Sequence, residues 1–466
     1  MKSKNRNRIL FLLVIVAVLF LAVSLYLVYF QLFEADELAA NSLNRRNYID
    51  ESLVDRGDIL DRTGQILAQS QATDTGYQRS VTYSVSLSHL IGYNSITYGK
   101  SGIEQSYNDY LLNIQDRDAV GKLRQVVTDG TVGNNLTLTI DHRLQLLAND
   151  LLKPYLGSIV VTDAKTGEVL AMASSPTFDS DWIDQNWSWI IEDQTAPLLN
   201  RATQGLYAPG SVVKLISAVA IQESGIDQSY VDTGEEMVTG YPFVNYNNAV
   251  YGEIGLRQAL IHSANTYFAN KSLQVGADKM AEVAGRFMIG EIIPFDLSTA
   301  RSSSPYQSGM ADVDLAAASF GQGTTMVSPL NMALVTGTIA NGGTMMKPYL
   351  VSEIHSPQGS LIRRTTPEVL SEVTSRRNAD ELRADMQAVI EGTSAAIWSA
   401  PVGGKTGTAE AQDGLVHAWF TGFIPLDDRD ITVTVVLENQ TMTGAGAASP
   451  IAAQLFQWIY DNYHHE

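Results

Sequence analysis

The sequence contains no cysteine, and this absence excludes several kinds of chemistry at once. A disulfide framework, a thiolate nucleophile and a zinc ribbon all need cysteine side chains. Positive charge is also scarce, because 31 Lys and Arg stand against 50 Asp and Glu, a formal net charge of −19. A nucleic-acid or anionic-lipid binder needs a basic surface, so we expect neither kind of partner.

Two common catalytic signatures are missing as well. The sequence has no Gly-x-Ser-x-Gly nucleophile elbow, which argues against an α/β-hydrolase triad. Its seven histidines show no His-Glu-x-x-His or other recognised ligand spacing, so we expect no metal and no other cofactor. We expect His262, which stands beside Ser263, to pack or to donate a hydrogen bond rather than to bind a metal.

One long apolar run is present near the N-terminus. Ile9 to Phe30 carries no charge, and as a helix it would span roughly 33 Å, enough for a bilayer core. Its bulky end, Tyr26 to Phe30, does not resemble a signal-peptide cleavage site. Basic residues precede the run and acidic residues follow it, which predicts a cytoplasmic N-terminus and an extracytoplasmic remainder. These residues are Lys2, Lys4, Arg6 and Arg8 before the run, and Glu34, Asp36 and Glu37 after it.

The 466 residues suggest two or three domains. Residues 158–163 and 168–173 read as a hairpin, and three further strand candidates lie near the other end, separated from the hairpin by apolar helices. Strands at both ends with helices between them indicate an α/β layer in which N- and C-terminal strands share one antiparallel sheet. The later strands are Gly403–Ala409, His417–Pro425 and Ile431–Leu437, and the helices are Ser211–Ile221, Leu330–Ile339 and Pro450–Tyr460.

The segment between the anchor and this layer has weaker patterns. Glu34 to about Asn47 looks helical and amphipathic, and Val54–Gly64 reads as a strand entering a tight turn. Leu136–Ile140 alternates like a strand, and Asp141 is placed to cap the following helix. We therefore predict three parts: a cytoplasmic head and transmembrane helix at 1–33, a mixed α+β membrane-proximal region at 34–135, and a catalytic domain at 136–466.

A Ser-x-x-Lys pair is the most promising reactive feature. Of the 11 lysines, only Lys214 has a serine, Ser211, three positions before it. Tyr207-Ala208-Pro209-Gly210 does not continue a helix, whereas the residues after Ser211 are apolar all round, so a buried helix should start near Ser211. The spacing puts the hydroxyl and the amine on one helix face, where the amine can take the serine proton. By itself the pair is equally well explained as a helix cap followed by a lysine that reaches solvent.

Two further strings follow in order. Ser263-Ala264-Asn265 lies 52 positions after Ser211, and Lys405-Thr406-Gly407-Thr408 lies 142 positions after Ser263. A second Lys-Thr-Gly, at residues 165–167, sits in the turn of the predicted hairpin, where exposed Lys and Gly need no functional explanation. Ser-x-x-Lys, Ser-x-Asn and Lys-Thr-Gly in this order are the signature of penicillin-binding proteins and active-site serine β-lactamases.

Together with other segments, this signature resembles a class B penicillin-binding protein, a membrane-anchored peptidoglycan D,D-transpeptidase. The resemblance covers essentially the whole chain and implies a transpeptidase domain of the penicillin-binding and serine β-lactamase type, an antiparallel sheet flanked by helices, on an N-terminal pedestal. The additional similar segments are Arg56–Gly64, His89–Gly92, Gly102–Glu104, Gly321–Gly323 with Ser328–Leu330, and Trp419–Phe423.

The resemblance also implies a role for each motif residue. Ser211 would be the nucleophile, Lys214 the base, Ser263 a proton relay, and Asn265 a holder of the substrate amide. Lys405, with the hydroxyls of Thr406 and Thr408, would bind the substrate carboxylate. The backbone N–H groups of Ser211 and Thr408 would form the oxyanion hole, and Gly407 would leave room for the substrate against its strand.

The implied substrates are stem peptides ending in D-Ala-D-Ala, and β-lactams would trap Ser211 covalently. No Glu-x-x-Leu-Asn string lies between Asn265 and Lys405, which argues against a class A β-lactamase. A D,D-carboxypeptidase and a β-lactam-binding sensor or scaffold remain alternatives.

Only about 100 residues lie between the anchor and the catalytic domain. The resemblance therefore implies a separate polymerase, a SEDS-type glycosyltransferase, alongside other cell-wall synthesis proteins that serve cell shape or division.

Overall fold

The computed structural model describes residues 2–33, 51–114, 132–397 and 399–464. Helix α1, Lys2–Phe33, contains the predicted membrane span: Phe11–Gln31 has a mean hydropathy of 3.1, and none of this stretch is buried inside the protein. A helix of this length and composition fits a membrane anchor. The amphipathic helix predicted at Glu34 to about Asn47 lies outside the described residues.

The membrane-proximal region is built from short elements. A tight turn follows its first strand as predicted, because an Asp61 carboxylate oxygen accepts hydrogen bonds from the backbone N–H groups of Thr63 and Gln65 at 2.8 and 2.9 Å. The elements are β1 Ile59–Leu60, β2 Ile66–Thr73, β3 Gly76–Val81, β4 Asn94–Ser95, β5 Gly99–Lys100, α2 Gly102–Ser106, α3 Asn108–Leu111 and β6 Asn135–Leu138.

Two of the segments that carried the resemblance meet in this region. The guanidinium of Arg56 donates to Glu104 at 2.5 Å, and Arg79 donates to the other oxygen of the same carboxylate at 2.7 Å. All three side chains are at least nine-tenths buried. Because a buried charge is costly without a partner, this cluster fixes Arg56–Gly64 against Gly102–Glu104.

The first half of the C-terminal region contains groups of strands separated by groups of helices. It comprises α4 His142–Leu152, β7 Gly157–Asp163, β8 Val169–Ser175, α5 Ile183–Glu192, α6 Lys214–Ser224, β9 Tyr230–Asp232, β10 Glu235–Val238, β11 Tyr241–Val244, β12 Gly252–Ile254, α7 Leu256–His262, α8 Asn265–Val275, α9 Ala277–Arg286 and α10 Asp312–Ser319. A 3₁₀ turn, Gly210–Val213, leads into α6, so the helix predicted from Ser211 begins as a tighter turn.

The second half supplies the remaining strands. It comprises α11 Pro329–Ala340, β13 Thr344–Met346, β14 Val351–His355, β15 Leu361–Arg364, β16 Val369–Glu372, α12 Arg376–Ile390, β17 Gly403–Glu410, β18 Val416–Pro425, β19 Asp430–Gln440 and α13 Gly444–Tyr463. Helix α13 starts six residues before the predicted Pro450. Its first residue lies in a space that only glycine fits, since a Cβ on Gly444 would lie 2.3 Å from the carbonyl oxygens of Gly407 and Trp419.

The central sheet confirms the predicted α/β layer. Its strands run in the order β17-β18-β19-β7-β8 and are antiparallel throughout, so the N-terminal hairpin and the three C-terminal strands share one sheet. Helices α4 and α13 cover one face and α11 covers the other. Every residue of β7 and β8 is buried, as expected for strands covered on both faces. Strand β17, which carries Lys405, is the free edge beside the turn of Ser211.

A second sheet joins the two regions. Its order is β15-β14-β6-β1-β2-β3, and β6 pairs in parallel with β1 and antiparallel with β14. The predicted boundary between residues 135 and 136 falls within β6. Strands from the membrane-proximal and C-terminal regions therefore share backbone hydrogen bonds, an arrangement that the sequence patterns do not predict.

Candidate active site

The three motifs meet where the edge of the central sheet faces the start of α6. Ser211 lies in the 3₁₀ turn, Lys214 is the first residue of α6, and Lys405 is on β17. Ser263 lies between α7 and α8. Residues separated by as many as 194 positions in the chain therefore face one another across a single cleft.

The turn that presents Ser211 is held from two sides. Gly210 has φ +53°, in the left-handed region that favours glycine, and a Cβ there would lie 2.6 Å from the carbonyl oxygen of Thr408. Its N–H donates to the carbonyl oxygen of Gly321 at 3.2 Å. Ser211 itself is half-buried, whereas Lys214 is fully buried. The Ser211 Oγ lies 3.0 Å from Lys214 Nζ, as the i, i+3 spacing predicts.

The Ser263 hydroxyl contacts every other reactive group. Its Oγ lies 3.0 Å from Ser211 Oγ, 3.0 Å from Lys214 Nζ and 3.1 Å from Lys405 Nζ. The backbone of Ser263 has φ +55°, which is uncommon for a residue with a side chain. This conformation ends α7 and directs both the hydroxyl and the carbonyl of Ser263 at Lys214, whose Nζ donates to that carbonyl at 2.7 Å.

Both lysines are held away from water. Burial lowers the pKa of Lys214 well below its ordinary value, and the positive charge of Lys405 lowers it further. Burial also lowers the pKa of Lys405, to about 8. The rings of Phe268 and Phe320 enclose Lys214 Nζ, with centroids at 5.5 and 5.9 Å. Among the described residues neither lysine forms an ion pair with a carboxylate, so no anion offsets the burial.

Both ends of the Asn265 amide are engaged. Its Oδ1 accepts from Lys214 Nζ at 2.8 Å, and its Nδ2 donates to the carbonyl oxygen of Val244 at 3.1 Å. The amide thus faces the base as well as the open cleft. One Nδ2 hydrogen beyond the bond to Val244 is available for a substrate carbonyl.

Strand β17 contributes the third motif. Lys405 Nζ also donates to the carbonyl oxygen of Thr406 at 3.1 Å, while Thr408 is exposed and its hydroxyl accepts from the Gly444 N–H at 3.1 Å. A Cβ on Gly407 would lie 2.8 Å from the carbonyl oxygen of Pro209. The close approach of β17 to the turn before the nucleophile therefore requires a glycine at this position.

The sequence matches two known domain families. The family described as penicillin binding protein transpeptidase domain matches residues 157–457, and penicillin binding protein A dimerisation domain matches residues 56–136. The chain belongs to the penicillin-binding protein transpeptidase family. Peptidoglycan D,D-transpeptidase PbpA of Mycolicibacterium smegmatis is 31% identical over 459 residues, which cover 90% of this chain and 92% of that protein.

Solved structures of this family share the fold. Penicillin-binding protein A of M. tuberculosis, in its penicillin G acyl-enzyme complex, has a TM-score of 0.79 at 28% identity and covers 87% of this chain and 99% of that one. The D,D-transpeptidase domain of a peptidoglycan glycosyltransferase from Eggerthella lenta has a TM-score of 0.78 at 32% identity and covers 88% and 98%. The expected penicillin-binding fold is thereby confirmed.

Three residues that contact the catalytic groups of this penicillin-binding transpeptidase belong to none of the three motifs. Phe268 and Phe320 enclose Lys214. Val244 contacts Asn265 through its backbone carbonyl. Phe268 stands three residues after Asn265, so helical spacing offered a signal for it, whereas a backbone acceptor has no sequence signal.

Lys165 and His262, which the sequence analysis did not assign to the reaction, lie on the surface. Lys165, in the hairpin turn, is exposed and donates to the carbonyl oxygen of Asp428 at 3.1 Å. His262 is exposed and stacks on Tyr251 with ring centroids 4.4 Å apart. Lys165-Thr166-Gly167 thus takes no part in the cleft that holds Lys405.

Proposed function

We propose that the chain is a peptidoglycan D,D-transpeptidase that works through an acyl-enzyme on Ser211. One observation carries this proposal: the Ser211 Oγ, Lys214 Nζ and Ser263 Oγ lie 3.0 Å from one another. A nucleophile, a base and a second hydroxyl in mutual contact allow a proton to move without a histidine. The family membership and the acyl-enzyme structures of relatives point to the same chemistry.

Lys214 is the base in this scheme. A neutral amine has two hydrogens and one lone pair. The two shortest contacts of Nζ, to the Ser263 carbonyl at 2.7 Å and to Asn265 Oδ1 at 2.8 Å, are acceptors for those hydrogens. The lone pair then remains for the Ser211 hydroxyl at 3.0 Å. The lowered pKa of Lys214 favours this neutral state.

The reaction proceeds in two balanced steps. The Ser211 Oγ attacks the carbonyl carbon of the penultimate D-Ala, and the hydroxyl proton of Ser211 passes to Lys214. The C–N bond then breaks. The departing D-Ala amine receives a proton from Lys214 through Ser263. In the second step an amine of a neighbouring stem peptide attacks the acyl carbon and gives its proton to Lys214. The ester C–O bond breaks, and Ser211 recovers its hydroxyl proton.

The remaining motif residues bind the substrate. Lys405, with the hydroxyls of Thr406 and Thr408, receives the terminal carboxylate, and Asn265 donates Nδ2–H to the stem-peptide carbonyl. The N–H groups of Ser211 and Thr408 stabilise the oxyanion, and the packing of Gly210 against Thr408 supports this role because it holds the two backbones side by side. A β-lactam carries an amide and a carboxylate in a similar arrangement and therefore acylates Ser211.

The organisation around this site follows the same proposal. Residues 1–33 form the cytoplasmic head and anchor, 34–135 the pedestal, and 136–466 the extracytoplasmic catalytic domain. The basic residues at the start of α1, before its apolar span, support this orientation. A SEDS-type glycosyltransferase that contacts the anchor and pedestal would supply the glycan strands, and other cell-wall synthesis proteins would accompany it.

The nucleophile can be identified by intact mass. Full-length protein in detergent is incubated with penicillin G, beside Ser211→Ala and Ser224→Ala, the second being a change of the last residue of α6. We expect a stable adduct of one drug molecule on the wild type and on Ser224→Ala and none on Ser211→Ala. Intact drug without any adduct would indicate a scaffold, and hydrolysed drug without an adduct would indicate a β-lactamase.

The acceptor requires a second measurement. Incubation with a stem pentapeptide and an amine acceptor should yield a cross-linked peptide together with released D-Ala. Release of D-Ala with only a shortened peptide as the other product would identify a carboxypeptidase instead.

A further inference from the structure

The segment between α6 and α7 carries two small sheets that lie beside the Ser263 and Asn265 motif. Strands β10 and β11 form one two-stranded sheet, and β9 pairs with β12 in another. A two-stranded sheet is marginally stable by itself. Nevertheless Val244, the last residue of β11, supplies the carbonyl that accepts from Asn265 Nδ2. Something must therefore fix this sheet relative to the active site.

A buried carboxylate at the end of β9 is placed to do so. Asp232 is 1% exposed. Its oxygens accept from Asn245 Nδ2 at 3.0 Å, from the Tyr251 N–H at 2.7 Å and from Thr266 Oγ1 at 2.7 Å, as well as from the Gly234 N–H at 3.2 Å. In the described part of the chain Asp232 forms no ion pair, so neutral donors alone satisfy the buried charge.

Two of these donors adjoin the catalytic motif directly. Asn245 follows Val244 in the sequence, and Thr266 follows Asn265. Asn245 Oδ1 additionally accepts from the Thr266 N–H at 3.3 Å. Asp232 therefore links Asn245, which follows Val244, to Thr266, which follows Asn265. This link determines how far apart Val244 and Asn265 lie.

We propose that Asp232 is a positioning residue for the transpeptidase reaction. Through Asn245 and Thr266 it keeps the Val244 carbonyl in reach of Asn265 Nδ2, which leaves Oδ1 directed at Lys214. Without this constraint the Asn265 amide can rotate, and the lysine loses an acceptor at 2.8 Å. The inference rests on the proposed function, because it assigns a role to Asp232 only if Ser211 and Lys214 perform the acylation.

Thr266 offers a matched pair of substitutions. Thr266→Val keeps the shape and removes the donor to Asp232, whereas Thr266→Ser keeps the hydroxyl. With full-length protein and penicillin G, we expect Thr266→Val to slow acylation by about tenfold or more and Thr266→Ser to stay within about twofold of the wild type. The acid limb of the pH–rate profile should move to lower pH in Thr266→Val, because a protonated Lys214 would have lost an acceptor.

Asn265→Ala separates positioning from general stability. If Asp232 acts through Asn265, Thr266→Val causes little further loss of rate in the Asn265→Ala background. Asp296→Asn is the control, since Asp296 likewise accepts backbone N–H and hydroxyl donors but lies away from the cleft; its acylation rate should equal that of the wild type. Additive losses in the double variant, or wild-type rates in Thr266→Val, would overturn this inference, whereas a wild type that forms no adduct would overturn the proposed function itself.

Discussion

Lys214 and Lys405 share one cleft, and burial lowers the pKa of both amines. The two shifts serve different ends. Lys214 must be neutral to take a proton, and the positive charge of Lys405 lowers its pKa further. Lys405 must be charged to attract a carboxylate, and with a pKa of about 8 it keeps its proton at neutral pH. We therefore expect acylation to be fastest at a pH between the pKa values of Lys214 and Lys405.

The pH dependence of acylation tests this division. We expect the second-order rate constant for acylation by penicillin G to fall above about pH 8, where Lys405 loses its proton and no longer attracts the drug's carboxylate. Lys405→Arg should remove this alkaline limb, since a guanidinium stays charged. The measurement is the acylation rate from about pH 6 to about pH 10, with Lys271→Arg, a buried lysine outside the cleft, as the control. A wild-type alkaline limb in Lys405→Arg would show that another group causes it.

The same shift affects stability. The folded pKa of Lys405 lies below the ordinary lysine value of 10.5, so between about pH 8 and that value the unfolded chain binds the proton and the folded chain does not. The contribution of Lys405 to the free energy of unfolding therefore rises as pH rises through this window.

At the scale of elements, the turn that carries Ser211 depends on the loop between α10 and α11. Gly321 has φ +87°, and a Cβ there would lie 1.9 Å from the carbonyl oxygen of Gly210. The loop accordingly packs backbone to backbone on the turn, and the Gly210 N–H donates to the Gly321 carbonyl. This contact explains why a glycine is required at position 321, the first residue of the Gly321–Gly323 segment that resembles the family.

Gly321→Ala should displace the turn and slow acylation by on the order of a hundredfold, with a loss of about 1–3 kcal/mol in the free energy of unfolding. Gly323→Ala is its control. Gly323 has a similar φ of +81° with no atom within 4 Å of the added Cβ, so it should lose stability from backbone strain but keep its acylation rate. Stopped-flow acylation and denaturant unfolding measure both quantities. Equal acylation rates for Gly321→Ala and Gly323→Ala would show that the loop does not position Ser211 for the reaction.

Sequence patterns predicted some elements better than others. The hairpin β7–β8 and the strands β18 and β19 agree with their predicted ranges, because each is a largely apolar or alternating run bounded by turn residues. Strand β17 also agrees with its predicted range, although its glycine-rich, polar sequence has no such pattern. Helix α13 begins at Gly444, earlier than Pro450, because close packing against β17 and β18 and not helix propensity selects its first turn. The short strands β9 to β12 could not be predicted, since each has at most four residues.

At the scale of the molecule, the pedestal and the catalytic region are joined by more than a linker. Strand β6 pairs with β1 on one side and β14 on the other. Nearby, Asp296 accepts from the Tyr107 hydroxyl at 2.5 Å and from the Leu350 N–H at 2.6 Å. Burial and the Asp296 carboxylate raise the pKa of Tyr107, so its hydroxyl remains a donor at physiological pH.

Asp296→Ala should reduce the free energy of unfolding by about 1–3 kcal/mol, because it leaves buried donors without an acceptor. Because strands of both regions share one sheet, we expect a single calorimetric transition in the wild type and in the variant. The rate of acylation by penicillin G at a temperature well below the transition should not change. Two separated transitions in the wild type would mean that the regions unfold independently.

The sequence by itself determined the reactive residue types, their order, the apolar anchor and the shared antiparallel sheet, because these are encoded in local spacing and hydrophobic pattern. Only the tertiary structure decided the rest. It brought Ser211, Ser263 and Lys405 into one cleft, lowered the pKa of the two lysines by burial, and set the orientation of Asn265 through Val244. Desolvation and hydrogen bonds of this kind depend on segments far apart in the chain, so no local pattern records them.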